Sequence, residues 1–142
     1  MFLTILLAAQ AAAAPPQFGV PGDPNVIRTG DVVAETWSDV DHLGVVRDWY
    51  RLSLDGGATF SRDRLTTYDV KLRYANFDPL RDAAPAVPEE LAAPAEGNRL
   101  WIVQTVTQGT EPWRTWLRER GAVDHRFLGM HANIWEMDEA LA

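Results

Sequence analysis

Four prolines, at positions 79, 85, 88 and 94, interrupt the stretch 76–98 (NFDPLRDAAPAVPEELAAPAEGN) and limit what this chain can build. Proline fixes its own φ and removes a backbone donor, so neither a long helix nor a paired strand can cross such a segment. The spacing predicts a Pro/Ala linker of polyproline II character, with one helical turn around Glu89 to Ala92. On either side lie a β-rich stretch, 31–75, and a second apolar stretch, 99–142. A chain of 142 residues divided in this way holds one ordinary domain or two very small ones.

Residues 31–75 carry three short runs of β-formers, Asp31 to Trp37, Val45 to Leu52 and Leu65 to Tyr74, each bounded by turn residues. In the third, Tyr68, Val70, Leu72 and Tyr74 alternate with Asp69, Lys71 and Arg73, the pattern of a strand with one wet face. Residues 15–30, rich in proline and glycine, read as an extended lead-in. Beyond the linker, Leu100-Trp101-Ile102-Val103 suits a strand buried on both faces. Thr110 is placed to cap a helix, Pro112 falls in its first turn, and Gly121 sits where it should stop. Between them Trp113, Trp116 and Leu117 recur at helical spacing, with Arg114, Arg118, Glu119 and Arg120 facing out. Phe127-Leu128 and Ile134-Trp135 flank Gly129 to Asn133 as the arms of a hairpin. The expected class is α+β: a small antiparallel β module, then an incomplete ferredoxin-like β-α-β-β unit. With the last helix and strand of that plan missing, its sheet has an unfilled position and an uncovered apolar face.

The first fourteen residues, MFLTILLAAQAAAA, pair an apolar run with small residues, the layout of a secretory signal peptide with Ala9-Gln10-Ala11 as the cleavage site. The run is too short to span a bilayer, which takes about 20 apolar residues. An apolar N-terminal core helix is the alternative. Export to the periplasm or medium is the reading adopted, with a mature chain beginning near Ala12 and no membrane partner after cleavage.

Charge and composition exclude several functions. A net charge of −7 with no cluster of Lys or Arg argues against nucleic acid and anionic membranes as partners. The absence of cysteine removes disulfides, thiol catalysis and cysteine-based zinc sites. With only His42, His125 and His131 available, a multi-histidine metal centre is not expected, and no metal or cofactor is assigned. Asp41-His42 and Asp124-His125 are adjacent pairs that read as surface turns rather than as an acid orienting a base. Glu89, Glu90 and Glu96 read as solvated linker carboxylates. No catalytic residue is assigned. Of the six tryptophans, Trp101, Trp113 and Trp116 fall at core spacing, which leaves Trp37, Trp49 and Trp135 as candidates for stacking on a sugar.

Two segments resemble known families. Ser53-Leu54-Asp55-Gly56-Gly57-Ala58-Thr59-Phe60 fits S-x-D-x-G-x-T-[FW], and resembles the Asp-box (BNR repeat) of sialidase-like β-propellers and other secreted bacterial proteins. The reason for the pattern is physical. Gly56 and Gly57 can take positive φ, Ser53 and Asp55 can tie the turn's amides, and Phe60 can plug the core beneath. The resemblance implies a structural hairpin, Ser53, Asp55, Gly57, Thr59 and Phe60 being its motif residues, and not sialidase activity. The stretch from Tyr68 through Phe77-Asp78-Pro79-Leu80, then Leu100 to Gln104, Trp113 to Gly121 and Leu128 to Met137, is similar to the N-terminal region of secreted bacterial subtilisin-like (S8) serine peptidases. It implies a propeptide that assists folding of a protease domain, in cis or in trans, and inhibits it. Trp101, Val103, Phe127 and Trp135 would form the sheet that packs on the protease. No "DTG" or "GTSMA" sequence occurs, so the chain reads as a truncated, non-catalytic fragment of such a precursor. A stand-alone secreted module binding glycan or protein is the alternative.

Overall fold

The computed structural model describes residues 2–5, 17–83, 85–87, 89, 97 and 99–142. These residues form antiparallel sheets with a single short helix, a small α+β, β-rich fold. They divide into two compact units, one from residue 17 to Thr67 and the other made of Phe2–Ile5 with Tyr68–Ala142. Strand β1 (Phe2–Ile5) thus belongs to the second unit.

The first unit is a four-stranded antiparallel sheet of β2 (Asn25–Thr29), β3 (Val32–Val40), β4 (Val46–Ser53) and β5 (Arg64–Thr66), in consecutive order. The β3–β4 connection is closed by Asp41, whose Oδ1 accepts from the amides of Leu43 and Val45 at 2.9 and 3.0 Å. An Asx turn of this kind lets a short polar side chain replace backbone partners that the loop lacks. Asp41-His42 is therefore a turn, as its sequence suggests. Gly19 runs beside β3, donating to the Thr36 carbonyl and accepting from the Ser38 amide. A Cβ at Gly19 would lie 2.2 Å from the Asp23 oxygen, so only glycine fits there.

The second unit holds β6 (Val70–Lys71), β7 (Asn76–Phe77), β8 (Leu100–Thr105), α1 (Glu111–Arg118), β9 (Val123–Gly129) and β10 (Ala132–Glu136). Its main sheet has the order β1-β8-β10-β9, antiparallel throughout. The register Trp135↔Trp101 and Asn133↔Val103 places these residues on one face, and Ile134↔Ile102 and Ala132↔Gln104 on the other. Helix α1 covers the first face. Leu117 and Trp113 pack with Trp101, Val103, Trp135 and Met137, and the Trp113 and Trp135 rings meet edge to face at 5.6 Å. The β6–β7 hairpin covers the second face, where Val70 and Phe77 pack against Ile102 and Ala132. Pro112 opens the helix and Gly121, at φ +89°, follows its end.

Several sequence expectations need correction. The fourth position of the β8 sheet is not empty, because β1 pairs along β8 from Phe2↔Thr105 to Ile5↔Ile102. Its second face is not bare either, since the β6–β7 hairpin lies over it. Leu65 to Tyr74 is not one strand: the chain leaves β5 after Thr66, and a turn closed by the Leu72 amide on the Ala75 carbonyl reverses it. Tyr68 and Val70 are buried as the alternation predicts, but Tyr74 is exposed. The lead-in contains a strand, β2. Whereas the proline-rich stretch 76–98 suggested the domain boundary, the two units divide between Thr67 and Tyr68, because Val70 and Phe77 bury their side chains in the second core. Of the expected turn at Glu89 to Ala92, only Glu89 lies within the described residues, and the remainder of residues 1–14 beyond β1 lies outside them.

Candidate functional site

The turn after β4 is held by its own side chains. Ser53, almost fully buried at the strand end, donates through Oγ to Asp55 Oδ1 at 2.6 Å and accepts from the Gly57 amide at 2.9 Å. Asp55 accepts in addition from the Thr59 amide (2.9 Å) and the Thr59 hydroxyl (2.6 Å). These four hydrogen bonds lock one loop, and the loop can take that path because Gly56 and Gly57 adopt φ of +74° and +100°. The Ser53 and Thr59 hydroxyls, then the Thr59 amide, hold the Asp55 carboxyl far below the usual carboxylate range. Both oxygens of Asp55 are engaged inside the turn, which leaves the group a structural role. Phe60 is half-buried, and the Arg51 guanidinium sits 4.8 Å from its ring centroid.

One face of the first sheet gathers aromatic and charged groups. Trp37 and Trp49 are directly opposite each other on β3 and β4, and Leu65 of β5 stands next in the row. Both tryptophans are half-buried and Leu65 is exposed. Two positions along on the same face, Glu35 and Arg51 are paired, with Arg51 Nε donating to Glu35 Oε2 at 2.6 Å and the guanidinium 6.0 Å from the Trp37 ring. Aromatic surface beside a fixed ion pair can stack on a ligand ring while hydrogen-bonding its hydroxyls.

The four residues expected to pack on a protease do not share one exposed surface. Trp101, Val103 and Trp135 are buried beneath α1, Trp135 completely, so they are core and not contact surface. The Trp101 indole N–H is spent on the Met137 carbonyl at 3.0 Å. Phe127 alone of the four is exposed, at 60%. The same burial removes Trp135 from the sugar-stacking candidates, while Trp116, expected in the core, is 41% exposed with the Arg120 guanidinium 3.9 Å from its ring centroid. A shallow apolar recess lined by Val103, Trp113, Trp116, Leu117, Met137 and Leu141 has a volume of about 50 Å³. That is far below the roughly 300 Å³ at which ligand pockets begin.

The titratable pairs serve local structure. Asp124 takes Arg114 of α1 at 3.2 Å and the Asn133 amide at 3.1 Å, fastening the helix to the sheet. His125 Nε2 lies 3.0 Å from Glu136 Oε2. Among the described residues no group of three or more His, Asp or Glu side chains is arranged to hold a metal ion. Glu89 is exposed, and Glu90 and Glu96 lie outside the described residues.

Sequence reasoning missed a buried polar clamp. Gln104, wholly buried on β8, donates through Nε2 to the carbonyls of Tyr68 and Met130, each at 2.9 Å. The Tyr68 hydroxyl donates to the Val106 carbonyl at 2.6 Å. The bond to the Met130 carbonyl fastens the β9–β10 turn, where Met130 (φ +44°) and His131 (φ +65°) occupy the left-handed region that side chains disfavour. The only sequence signal was a glutamine within an apolar strand.

Compared with known protein families, curated proteins and solved structures, the chain matches none. No helix among the described residues is long and apolar enough to cross a membrane.

Proposed function

We propose that the chain is an exported, non-catalytic N-terminal region of a subtilisin-like serine peptidase precursor, acting as a folding assistant and inhibitor of a protease domain supplied in cis or in trans. The observation that carries this reading is the strand order β1-β8-β10-β9, with α1 joining β8 to β9 across β10. A helix connecting two strands that are separated by a third is the split β-α-β plan of ferredoxin-like units. The consecutive four-stranded sheet of the first unit and its Ser53–Thr59 turn are in keeping with one Asp-box blade. The contact with a protease falls on exposed Phe127 rather than on Trp101, Val103 and Trp135. The test is to add the chain to a denatured subtilisin-like protease and follow refolding yield and peptidase activity. A change in either, reduced in Phe127→Ser, is expected; no change in yield or activity overturns the reading.

A second reading, a stand-alone secreted module binding glycan or protein, is favoured by the facing Trp37 and Trp49 beside the Glu35–Arg51 pair. Titration of tryptophan fluorescence against a glycan panel tests it. A saturable shift that disappears in Trp37→Ala and Trp49→Ala supports this module, and a flat response removes the glycan branch.

A further inference from the structure

We propose that the outer edge of β8 is a strand-accepting site. Phe2–Ile5 closes it in the uncleaved chain, and leader removal opens it to an extended apolar segment of a partner protein, running antiparallel to β8. The proposal rests on reading residues 1–14 as an export leader.

The argument follows the backbone. In an antiparallel ladder, alternate residues direct both main-chain groups to the same side. The Thr105 amide donates to the His131 carbonyl at 3.1 Å and the Met137 amide to the Arg99 carbonyl at 2.9 Å. Arg99, Trp101, Val103 and Thr105 therefore face β10. The main-chain groups of Ile102 and Gln104 face the opposite edge, where Ile5 and Leu3 stand across from them. Both residues are buried while β1 is seated, at 5% and 0% exposure, and departure of β1 takes away the main-chain partners that their amides and carbonyls have along this edge. Since α1 and the β6–β7 hairpin already cover the two faces of this sheet, what leader removal uncovers is an edge and not a groove. An edge of unpaired main-chain groups recruits another extended segment, with affinity coming from the backbone ladder. The segment seated there defines the ligand class, a stretch of Phe-Leu-Thr-Ile character.

The test compares amide exchange in the full chain and in Leu3→Pro, which removes a main-chain donor opposite Gln104. Ile102 and Gln104 should exchange about tenfold or more faster in the variant. Trp101, Val103 and Thr105, held by β10, should stay slow. Should those three speed up as well, the chain starting at Ala12 provides the same comparison without a substitution. Adding a synthetic peptide with Phe-Leu-Thr-Ile between lysine pairs should restore protection at Ile102 and Gln104, and the same peptide with proline for its leucine should not. Slow exchange at both amides without β1 or peptide overturns the proposal. So does protection that rises with protein concentration but ignores the peptide, since a second copy would then be the occupant. The mass of the exported product tests the leader separately: a product retaining Phe2 refutes export and leaves the edge chemistry to the exchange data.

Discussion

Gln104 offers the sharpest test of the second unit, because its side chain is wholly buried and its amide orientation is fixed by two carbonyl acceptors. Gln104→Glu keeps the shape and replaces a double donor by a carboxyl group. An ionised carboxylate there would be desolvated and would face the Tyr68 and Met130 oxygens, and both effects disfavour its charge. The folded-state pKa is thus raised above the unfolded value of about 4.3. A raised acid pKa gives stability that is fully present below pH ~4.3 and is lost as pH rises toward the folded pKa, at up to about 1.4 kcal/mol per pH unit. From pH 4.3 to 7 the loss reaches up to about 3.7 kcal/mol, comparable with the few kcal/mol that hold a domain of this size. Gln104→Leu supplies the control. It strands the buried Tyr68 carbonyl but removes Oε1, which has no protein donor, so a pH-independent cost of about 1 kcal/mol is expected. Urea unfolding at a series of pH values, followed through the amides of Trp101 and Val103, measures both after subtraction of the wild-type profile. A glutamate variant whose stability tracks wild type from pH 4 to 7 would refute the buried clamp.

Other outcomes follow from the same geometry. Ser53→Ala leaves the Gly57 amide without its acceptor and should cost the first unit about 2 kcal/mol in urea unfolding, with an unchanged midpoint counting against the turn's role. Asp55, its pKa depressed by the Ser53 and Thr59 bonds, contributes stability that is present above the ordinary carboxylate pKa and is lost progressively as pH falls from there through the lower folded-state value. Its carboxyl resonance should accordingly stay that of the ionised form at pH 3 while exposed carboxylates titrate. Trp135→Ala empties the centre of the α1 face and should destabilise the second unit by about 3–5 kcal/mol, judged by its thermal transition. The pair M130N and H131G places better left-handed residues in the β9–β10 turn and should raise stability by about 1 kcal/mol in the same measurement.

What could be read from the sequence was what local chemistry decides. The helix stands between Thr110 and Gly121 because proline and glycine act within a turn of where they sit, although Thr110 makes no side-chain capping bond. The Ser53–Thr59 loop closes through groups at most four residues apart. What failed depended on distant partners. Alternation from Tyr68 to Tyr74 looked like one strand because pattern carries no record of which sheet a segment leaves. Trp135 looked available because a hairpin pattern does not state which face a helix will cover, and bulges near Ala132 and Ile134 shift the β9 register further. The fourth strand of the β8 sheet comes from the opposite end of the chain, in residues whose composition suggested an export leader or a core helix and not a strand. Gln104 resembles any surface glutamine until Tyr68 and Met130 are placed beside it.

The burial of Trp101, Val103 and Trp135 also sharpens the choice between the two functional readings. Phe127 stands opposite Asn133 and so shares the face that carries those three, yet it stays exposed because α1, only eight residues long, packs Leu117 and Trp113 over the tryptophans. On the protease reading the contact would draw on Phe127 of the second unit, whereas on the glycan reading it would draw on Trp37 and Trp49 of the first. The two surfaces have no residue in common. Phe127→Ser should weaken protease refolding without altering any glycan-induced fluorescence shift, and Trp49→Ala should do the reverse. A protease effect that survives Phe127→Ser but fails with Trp49→Ala would move the contact to the first unit and leave the β1-β8-β10-β9 sheet without the proposed role.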